Sequence, residues 1–140
     1  MLFRTAMAHW EGTLKEGKGS VHLGSGAFEG PYSFGSRFEQ GKGTNPEELI
    51  GAAHAGCFTM ALSMALTNAG HPPTSLDTSA KVHLGKVGEA FEIAMIELST
   101  EGKVPGITGP EFEKMAQDAK RNCIVSRALS VTISLKATLL

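Results

Sequence analysis

The chain has two cysteines, Cys57 and Cys123, and each stands where a thiol can do chemistry. Cys57 lies in a run of small residues, 51–58, that lets a ligand or other backbone approach its sulfur closely. Cys123 comes at the end of an amphipathic segment. The thiolate is the nucleophilic form of cysteine, and unpaired cysteines in a reducing compartment are often catalytic. The pair therefore permits a redox role.

The same residues also admit a structural interpretation. Either cysteine is equally explained as a small buried hydrophobe, and His54, three residues before Cys57, is a general base or a packed core residue. Scattered cysteines and histidines lack the close pairs that zinc sites use, so neither a metal site nor a cofactor is predicted. Three apolar neighbours of Cys57 are expected in the core, or else along an apolar channel beside the sulfur: Phe58, Met60 and Met64.

A reactive Cys57 needs a cation, because a free thiol with a pKa of about 8.5 is mostly protonated at neutral pH. Cys57 lies about three turns into its expected helix, where the helix dipole no longer helps. Glu47 or Glu48 can orient an arginine, whose planar fork holds a carboxylate and a second anion together. Four arginines are candidates for the cation: Arg37, Arg4, Arg121 and Arg127.

Glu47 cannot touch Cys57 along a straight helix, because ten positions separate them by about 15 Å of rise and about 80° of rotation. Three arrangements remain open. The helix breaks at Gly51 or Gly56, an arginine bridges the gap, or the carboxylate belongs to a second subunit.

The elements around these residues predict an α+β fold in one domain, residues 1–140. A polar cap, a first-turn proline and two acidic residues mark the start of the longer helix at Pro46, and Gly70 marks its end. Two helices are expected, at residues 46–69 and 109–123. Strands are expected at residues 3–10, 20–23, 32–38, 76–84, 90–99 and 129–136, the first three forming a meander and the next two a hairpin.

The longer helix also predicts an assembly. Its roughly 24 residues span about 36 Å, which equals the diameter of a compact chain of this size. A helix that is apolar all round and crosses the whole monomer needs cover on every side. A second copy of the chain supplies that cover most simply, so we expect a two-fold homodimer.

Composition excludes several kinds of partner. The 140 residues are 41% hydrophobic with a net charge of −1, which gives no electrostatic footprint for nucleic acid or an anionic membrane. Residues 49–69 carry no Asp, Glu, Lys or Arg, but their glycines and polar residues make them too polar for a membrane span. The first residues lack a secretory signal pattern, so a cytoplasmic protein is expected.

The segment at residues 43–58, GTNPEELIGAAHAGCF, resembles the helix motif of the OsmC/Ohr family of thiol peroxidases. The match extends over nearly the whole chain. Segments 8–12, 36–39 and 104–107 are more similar to the osmotically inducible OsmC branch than to the organic-hydroperoxide-resistance branch.

The resemblance assigns a role to each candidate. It implies that Cys57 attacks the peroxide, that Cys123 resolves the product as a Cys57–Cys123 disulfide, and that Arg37 is the activating cation with Glu47 as its carboxylate partner. The family usually has proline after the resolving cysteine, where this chain has Ile124.

The resemblance also implies an intertwined homodimer in which antiparallel sheets enclose a long central helix. Its substrates are organic hydroperoxides, and its reductant is a dithiol or a lipoylated protein. Two other functions stay open: a dimer that binds a small apolar ligand without turnover, and a redox sensor that signals through the disulfide.

Overall fold

The computed structural model describes all 140 residues, which form two compact units, Met1–Leu49 and Ile50–Leu140. The first unit holds a three-stranded antiparallel sheet in the order β1-β2-β3. Its elements are β1 (Ala6–Glu11), β2 (Lys18–Leu23), β3 (Glu29–Tyr32) and a short helix, α1 (Phe34–Phe38). The expected meander is confirmed.

The strand expected at residues 32–38 is wrong beyond Tyr32, because α1 replaces it. The Ser33 side chain accepts a hydrogen bond from the Ser36 N–H, and the Ser36 hydroxyl accepts one from the Ser33 N–H. This reciprocal capping box stabilises a helix start. The alternation of Phe34, Ser36 and Phe38 imitates a strand, but local capping decides the conformation.

The long helix, α2 (Pro46–Asn68), confirms its prediction and runs without interruption past Gly51 and Gly56. The Asn45 side chain accepts a hydrogen bond of 2.7 Å from the Glu48 N–H and so caps the first turn. Gly70, with a φ of 87°, ends the helix in the left-handed conformation that glycine adopts easily. The alternative in which a glycine breaks the helix is wrong.

The second unit contains a three-stranded sheet in the order β4-β5-β6. Strands β4 (Ser75–Val87) and β5 (Ala90–Lys103) form the expected antiparallel hairpin. Strand β6 (Thr132–Leu139) is parallel to β5. The expectation of antiparallel sheets therefore holds for the first sheet and the hairpin, and is wrong for β6.

Two helices explain the parallel strand, because a crossover is needed to bring the chain back in the same direction. They are α3 (Gly109–Asn122), which confirms its prediction, and α4 (Ile124–Ala128), which the sequence pattern did not indicate. Helix α4 occupies the residues just before the last strand, so β6 begins at Thr132 rather than at Leu129.

The core of the second unit joins α2, the sheet and α3. Helix α3 comes very near β5 at Gly102, since a Cβ atom there would lie 2.7 Å from the Phe112 ring. This close packing fixes α3, and with it Cys123 at the end of that helix. The largest buried apolar side chains are Phe58, Leu62, Leu66, Ile96, Leu98 and Phe112.

Candidate active site

The second unit brings the two cysteines together. Cys57 lies on α2, Cys123 lies between α3 and α4, and both are free thiols within hydrogen-bonding reach of each other. Cys57 is half-buried, whereas Cys123 is only 1% exposed. A reagent from solvent therefore reaches Cys57 before Cys123. The two thiols lie close together even though Ile124 follows Cys123 where the family usually has proline.

The surroundings of Cys57 do not activate it within the second unit. Burial raises the pKa of its thiol, and the hydrogen bond with Cys123 acts in the same direction. The backbone N–H groups of Val125 and Ile124 oppose this shift without overcoming it. Because the pKa lies above its ordinary value, Cys57 needs a further positive charge to become a thiolate at neutral pH.

The surroundings of Cys123 have the opposite effect. Burial alone would raise the pKa of its thiol, but hydrogen bonds from the Ser126 backbone, from Cys57 and from the Ser126 side chain together lower it. The Ser126 N–H donates to the Cys123 sulfur at 3.5 Å. Of the two thiols, Cys123 is therefore the one that the second unit itself makes easier to ionise.

Ser126 also contacts His54, and the sequence pattern gave no signal for this pair because 72 positions separate the two residues. The His54 Nε2 atom lies 2.8 Å from the Ser126 hydroxyl, and the ring is fully buried. Its other nitrogen, Nδ1, has no hydrogen-bond partner. Burial lowers the pKa of His54, so the ring is neutral at neutral pH.

The first unit brings the other two candidates together. Arg37 donates from Nε and Nη2 to the two carboxylate oxygens of Glu47, each at 3.0 Å. The Glu47 side chain is 10% exposed and that of Arg37 is 38% exposed. These two hydrogen bonds raise the pKa of Arg37. Such a bidentate pair fixes the guanidinium plane and leaves Nη1 outside the pair.

A cavity of about 400 Å³ lies beside Arg37 in the first unit. The rings of Trp10 and Tyr32 meet edge to face at 5.3 Å, and the guanidinium lies 5.2 Å from the centre of the Phe38 ring. This wall gives an apolar group room next to a fixed positive charge. The lining residues are Trp10, Gly12, Leu14, Tyr32, Ser33, Phe34, Arg37 and Phe38.

One face of α2 is uncovered. Phe58 is fully buried as expected, but Met60 and Met64 are 76% and 64% exposed, so their expected place in the core is wrong for the single chain. Ala52 and Gly56 extend the same exposed row toward the start of the helix. By length and composition α2 could also cross a membrane, with 28% of its most apolar stretch buried within the chain.

Comparison with known proteins identifies the family. The OsmC-like protein family matches residues 39–137. The chain belongs to the OsmC family. It is 52% identical over 135 residues to Peroxiredoxin OsmC of Escherichia coli K12, covering 96% of this chain and 94% of that protein. The expected resemblance is confirmed, and the similarity to Peroxiredoxin OsmC indicates a soluble protein.

More distant relatives agree with this assignment. The chain is 31% identical over 100 residues to the organic hydroperoxide resistance protein of Xanthomonas axonopodis pv. citri, covering 71% of this chain and 68% of that protein. The solved structure of an OsmC-like protein of unknown function from Vibrio cholerae matches with a TM-score of 0.79 at 16% identity, covering 98% and 99% of the two chains. The α+β fold is thus an OsmC fold.

Proposed function

We propose that Cys57 and Cys123 are the catalytic thiols of a peroxidase for organic hydroperoxides. The protein is a thiol-dependent peroxidase, as its OsmC relatives named peroxiredoxin and organic hydroperoxide resistance protein indicate. The observation that carries the assignment of residues is an accessible Cys57 within reach of a buried Cys123.

In the first step the Cys57 thiolate attacks the distal oxygen of the hydroperoxide. A sulfur–oxygen bond forms as the oxygen–oxygen bond breaks, and the alkoxide takes a proton and leaves as the alcohol. Cys57 is left as a sulfenic acid. The exposure of Cys57 supports this role, because the substrate has to reach the sulfur from solvent.

In the second step Cys123 attacks the sulfenic sulfur. The disulfide forms, the sulfur–oxygen bond breaks, and water leaves. The closeness of the two thiols, each of which affects the pKa of the other, supports this step. An external dithiol, or a lipoylated protein, then reduces the disulfide and restores both thiols.

Arg37 is the activating cation, and Glu47 is the carboxylate that holds it. Cys57 needs an outside charge, and the Arg37 fork is fixed by Glu47 with Nη1 left for a second anion. Among the other candidates, Arg121 pairs with the half-exposed Asp118 and Arg4 bonds to the Phe3 carbonyl, whereas a buried carboxylate holds Arg37. The aromatic cavity beside Arg37 supports a bulky apolar hydroperoxide as substrate.

The active protein is a cytoplasmic homodimer, and each chain is one functional domain. The exposed methionines on α2 support the dimer, because a second copy would cover them. A pair of thiols that cycles through a disulfide needs a reducing compartment, which supports the cytoplasm. Similarity over 96% of this chain to 94% of a single relative supports one domain.

Stopped-flow oxidation of the reduced protein tests this proposal, with an organic hydroperoxide compared against hydrogen peroxide. We expect fast, organic-selective loss of the Cys57 thiol, no reaction in Cys57→Ser, and sulfenic acid without a disulfide in Cys123→Ser. We expect Arg37→Ala to slow the first step about 100-fold or more, as loss of a fixed charge does at a reacting centre.

The matched control is Arg121→Ala, which removes another partly exposed, ion-paired arginine and should leave the first step unchanged. If Cys57 reacts no faster than an ordinary thiol, the peroxidase assignment is wrong and an apolar-ligand-binding dimer becomes the better explanation. Oxidation to the disulfide without re-reduction by any dithiol would instead indicate a redox sensor.

A further inference from the structure

The hydrogen bonds around Cys123 extend beyond the two cysteines. His54 on α2 contacts the Ser126 hydroxyl on α4 at 2.8 Å, and the Ser126 backbone N–H donates to the Cys123 sulfur at 3.5 Å. The Ser126 side chain also lowers the pKa of Cys123. His54 is 0% exposed and Ser126 is 8% exposed. His54, which lies 72 positions before Ser126, therefore joins Ser126 and Cys123 in one buried series of contacts.

The unpartnered Nδ1 of His54 decides which groups donate and which accept in this series of hydrogen bonds. A neutral imidazole carries one N–H, and a buried N–H without a partner is rarer and more costly than a bare acceptor. Placing the hydrogen on Nε2 avoids that cost, because this nitrogen faces the Ser126 hydroxyl. Nε2 then donates to the hydroxyl oxygen, and the hydroxyl hydrogen is free to point at the Cys123 sulfur.

We infer that His54 and Ser126 form a one-way donor chain, His54 to Ser126 to Cys123, that holds Cys123 as a thiolate for the resolving step. This inference rests on the proposed peroxidase function. His54 and Ser126 are positioning residues, because neither meets the substrate. Hydrogen bonds that are made to the charged form of a group favour that form, and hydrogen-bonded neighbours strengthen one another.

The chemistry of the resolving step needs this ionisation. The Cys123 thiolate donates an electron pair to the sulfenic sulfur of Cys57, and the sulfur–sulfur bond forms. The sulfur–oxygen bond breaks, and hydroxide leaves with its bonding electrons. The proton that Cys123 lost neutralises the hydroxide, so the net products are the disulfide and water. The Cys123 sulfur is oxidised and the Cys57 sulfur is reduced. A protonated Cys123 would be a far weaker nucleophile.

No positively charged group is among the causes that lower the pKa of Cys123. The titratable groups that face it from α2 are Cys57 and, through Ser126, His54. Its neighbours on α3 and α4, Arg121 and Arg127, are exposed, and Arg121 pairs with Asp118. The donor chain is therefore the local feature that distinguishes Cys123 from Cys57.

A thiol titration tests the donor chain of His54, Ser126 and Cys123 without any peroxide. Ultraviolet thiolate absorbance against pH reports Cys123 alone in a Cys57→Ala background. Adding Ser126→Ala should raise the midpoint by about one pH unit, since a hydrogen bond to a charged group is worth that much. His54→Leu should raise it by less, and His54→Gln, which keeps an N–H donor, should restore part of the loss.

Thr100→Val is the matched control, because it removes another fully buried hydroxyl of the second unit, which bonds to Thr78 at 2.9 Å. If Ser126 has only a structural role, the midpoint of the Cys123 titration should shift in proportion to the loss of folding stability in every variant, including Thr100→Val. An unchanged midpoint in Ser126→Ala overturns the inference, and equal midpoints in His54→Gln and His54→Leu overturn the part assigned to His54.

The second measurement separates the two steps in protein that has both cysteines. With Ser126→Ala we expect sulfenic acid to form at the wild-type rate and the disulfide to form about tenfold more slowly below the midpoint pH. Equal rates of disulfide formation contradict the inference. If Cys57 forms no sulfenic acid even in the wild type, the peroxidase proposal fails, while the thiol titration still decides whether the donor chain exists.

Discussion

At the scale of single residues, the neutral His54 should couple folding to pH. Burial lowers its pKa in the folded chain, whereas in the unfolded chain the ring has its ordinary value of 6.5. Below that pH the unfolded state binds more protons than the folded state, so acid favours unfolding. We expect the contribution of His54 to the free energy of unfolding to be steady above pH 6.5 and to fall as the pH drops below it.

Urea unfolding at a series of pH values checks this dependence. His54→Gln, which cannot take up a proton, should flatten the curve between about pH 5 and about pH 7. His71→Gln is the matched control, because it replaces a histidine that is only partly buried. The same slope in all three proteins would mean that another group is responsible.

The sequence indicated the candidate catalytic residues but not Ser126, which we infer to act through Cys123. Cys57 and Cys123 are the two thiols of the chain, and the family resemblance pointed to Arg37 and Glu47, which do form a pair. Ser126 could not be predicted. Its role depends on a contact that only the packing of α4 on α2 creates, and serine at a short helix is common.

At the scale of elements, the close approach of α3 to the sheet should be sensitive to one methyl group. A Cβ atom at Gly102 on β5 would meet the Phe112 ring at 2.7 Å and the Leu76 side chain at 3.0 Å. Gly102→Ala should therefore destabilise the protein by about 1–3 kcal/mol through overpacking. Because Cys123 follows α3 directly, we also expect slower disulfide formation.

Gly109→Ala provides the control for Gly102→Ala. Gly109 begins α3 and has no atom within 4 Å of its added Cβ, so alanine there should be neutral or slightly stabilising. Denaturant unfolding and the rate of disulfide formation compare the two variants. Equal effects would show that α3 tolerates displacement, and that its packing on β5 does not position Cys123.

Long elements were predictable, whereas the two short helices were not. Hydrophobic pattern and cap residues marked α2 and α3 because each runs for several turns. Helices α1 and α4 have five residues each, and their starts are set by capping contacts at Ser33 and Cys123. The direction of β6 beside β5 depends on the crossover through α3 and α4, which pattern alone does not reveal.

At the scale of the whole molecule, α2 has one side buried in the core and another side exposed to solvent. Phe58, Leu62 and Leu66 fill the core of the second unit, while Met60 and Met64 on the other side reach solvent in the single chain. Isolated exposed apolar residues are ordinary, but a row along one helix marks an interaction surface. A second copy is the occupant we propose, because a two-fold dimer would cover the same row of residues on both chains.

Met64→Glu should break that assembly. A carboxylate buried between two helices without a partner costs several kcal/mol. Two-fold symmetry would bury two such carboxylates in the interface, one from each chain. Sedimentation equilibrium should give wild-type protein at twice the 14.7 kDa chain mass and Met64→Glu at the single mass. Lys114→Glu, which places the same carboxylate on an exposed polar face of α3, should remain dimeric. Wild-type protein that sediments as a single chain would refute the dimer and leave the exposed face of α2 to another partner.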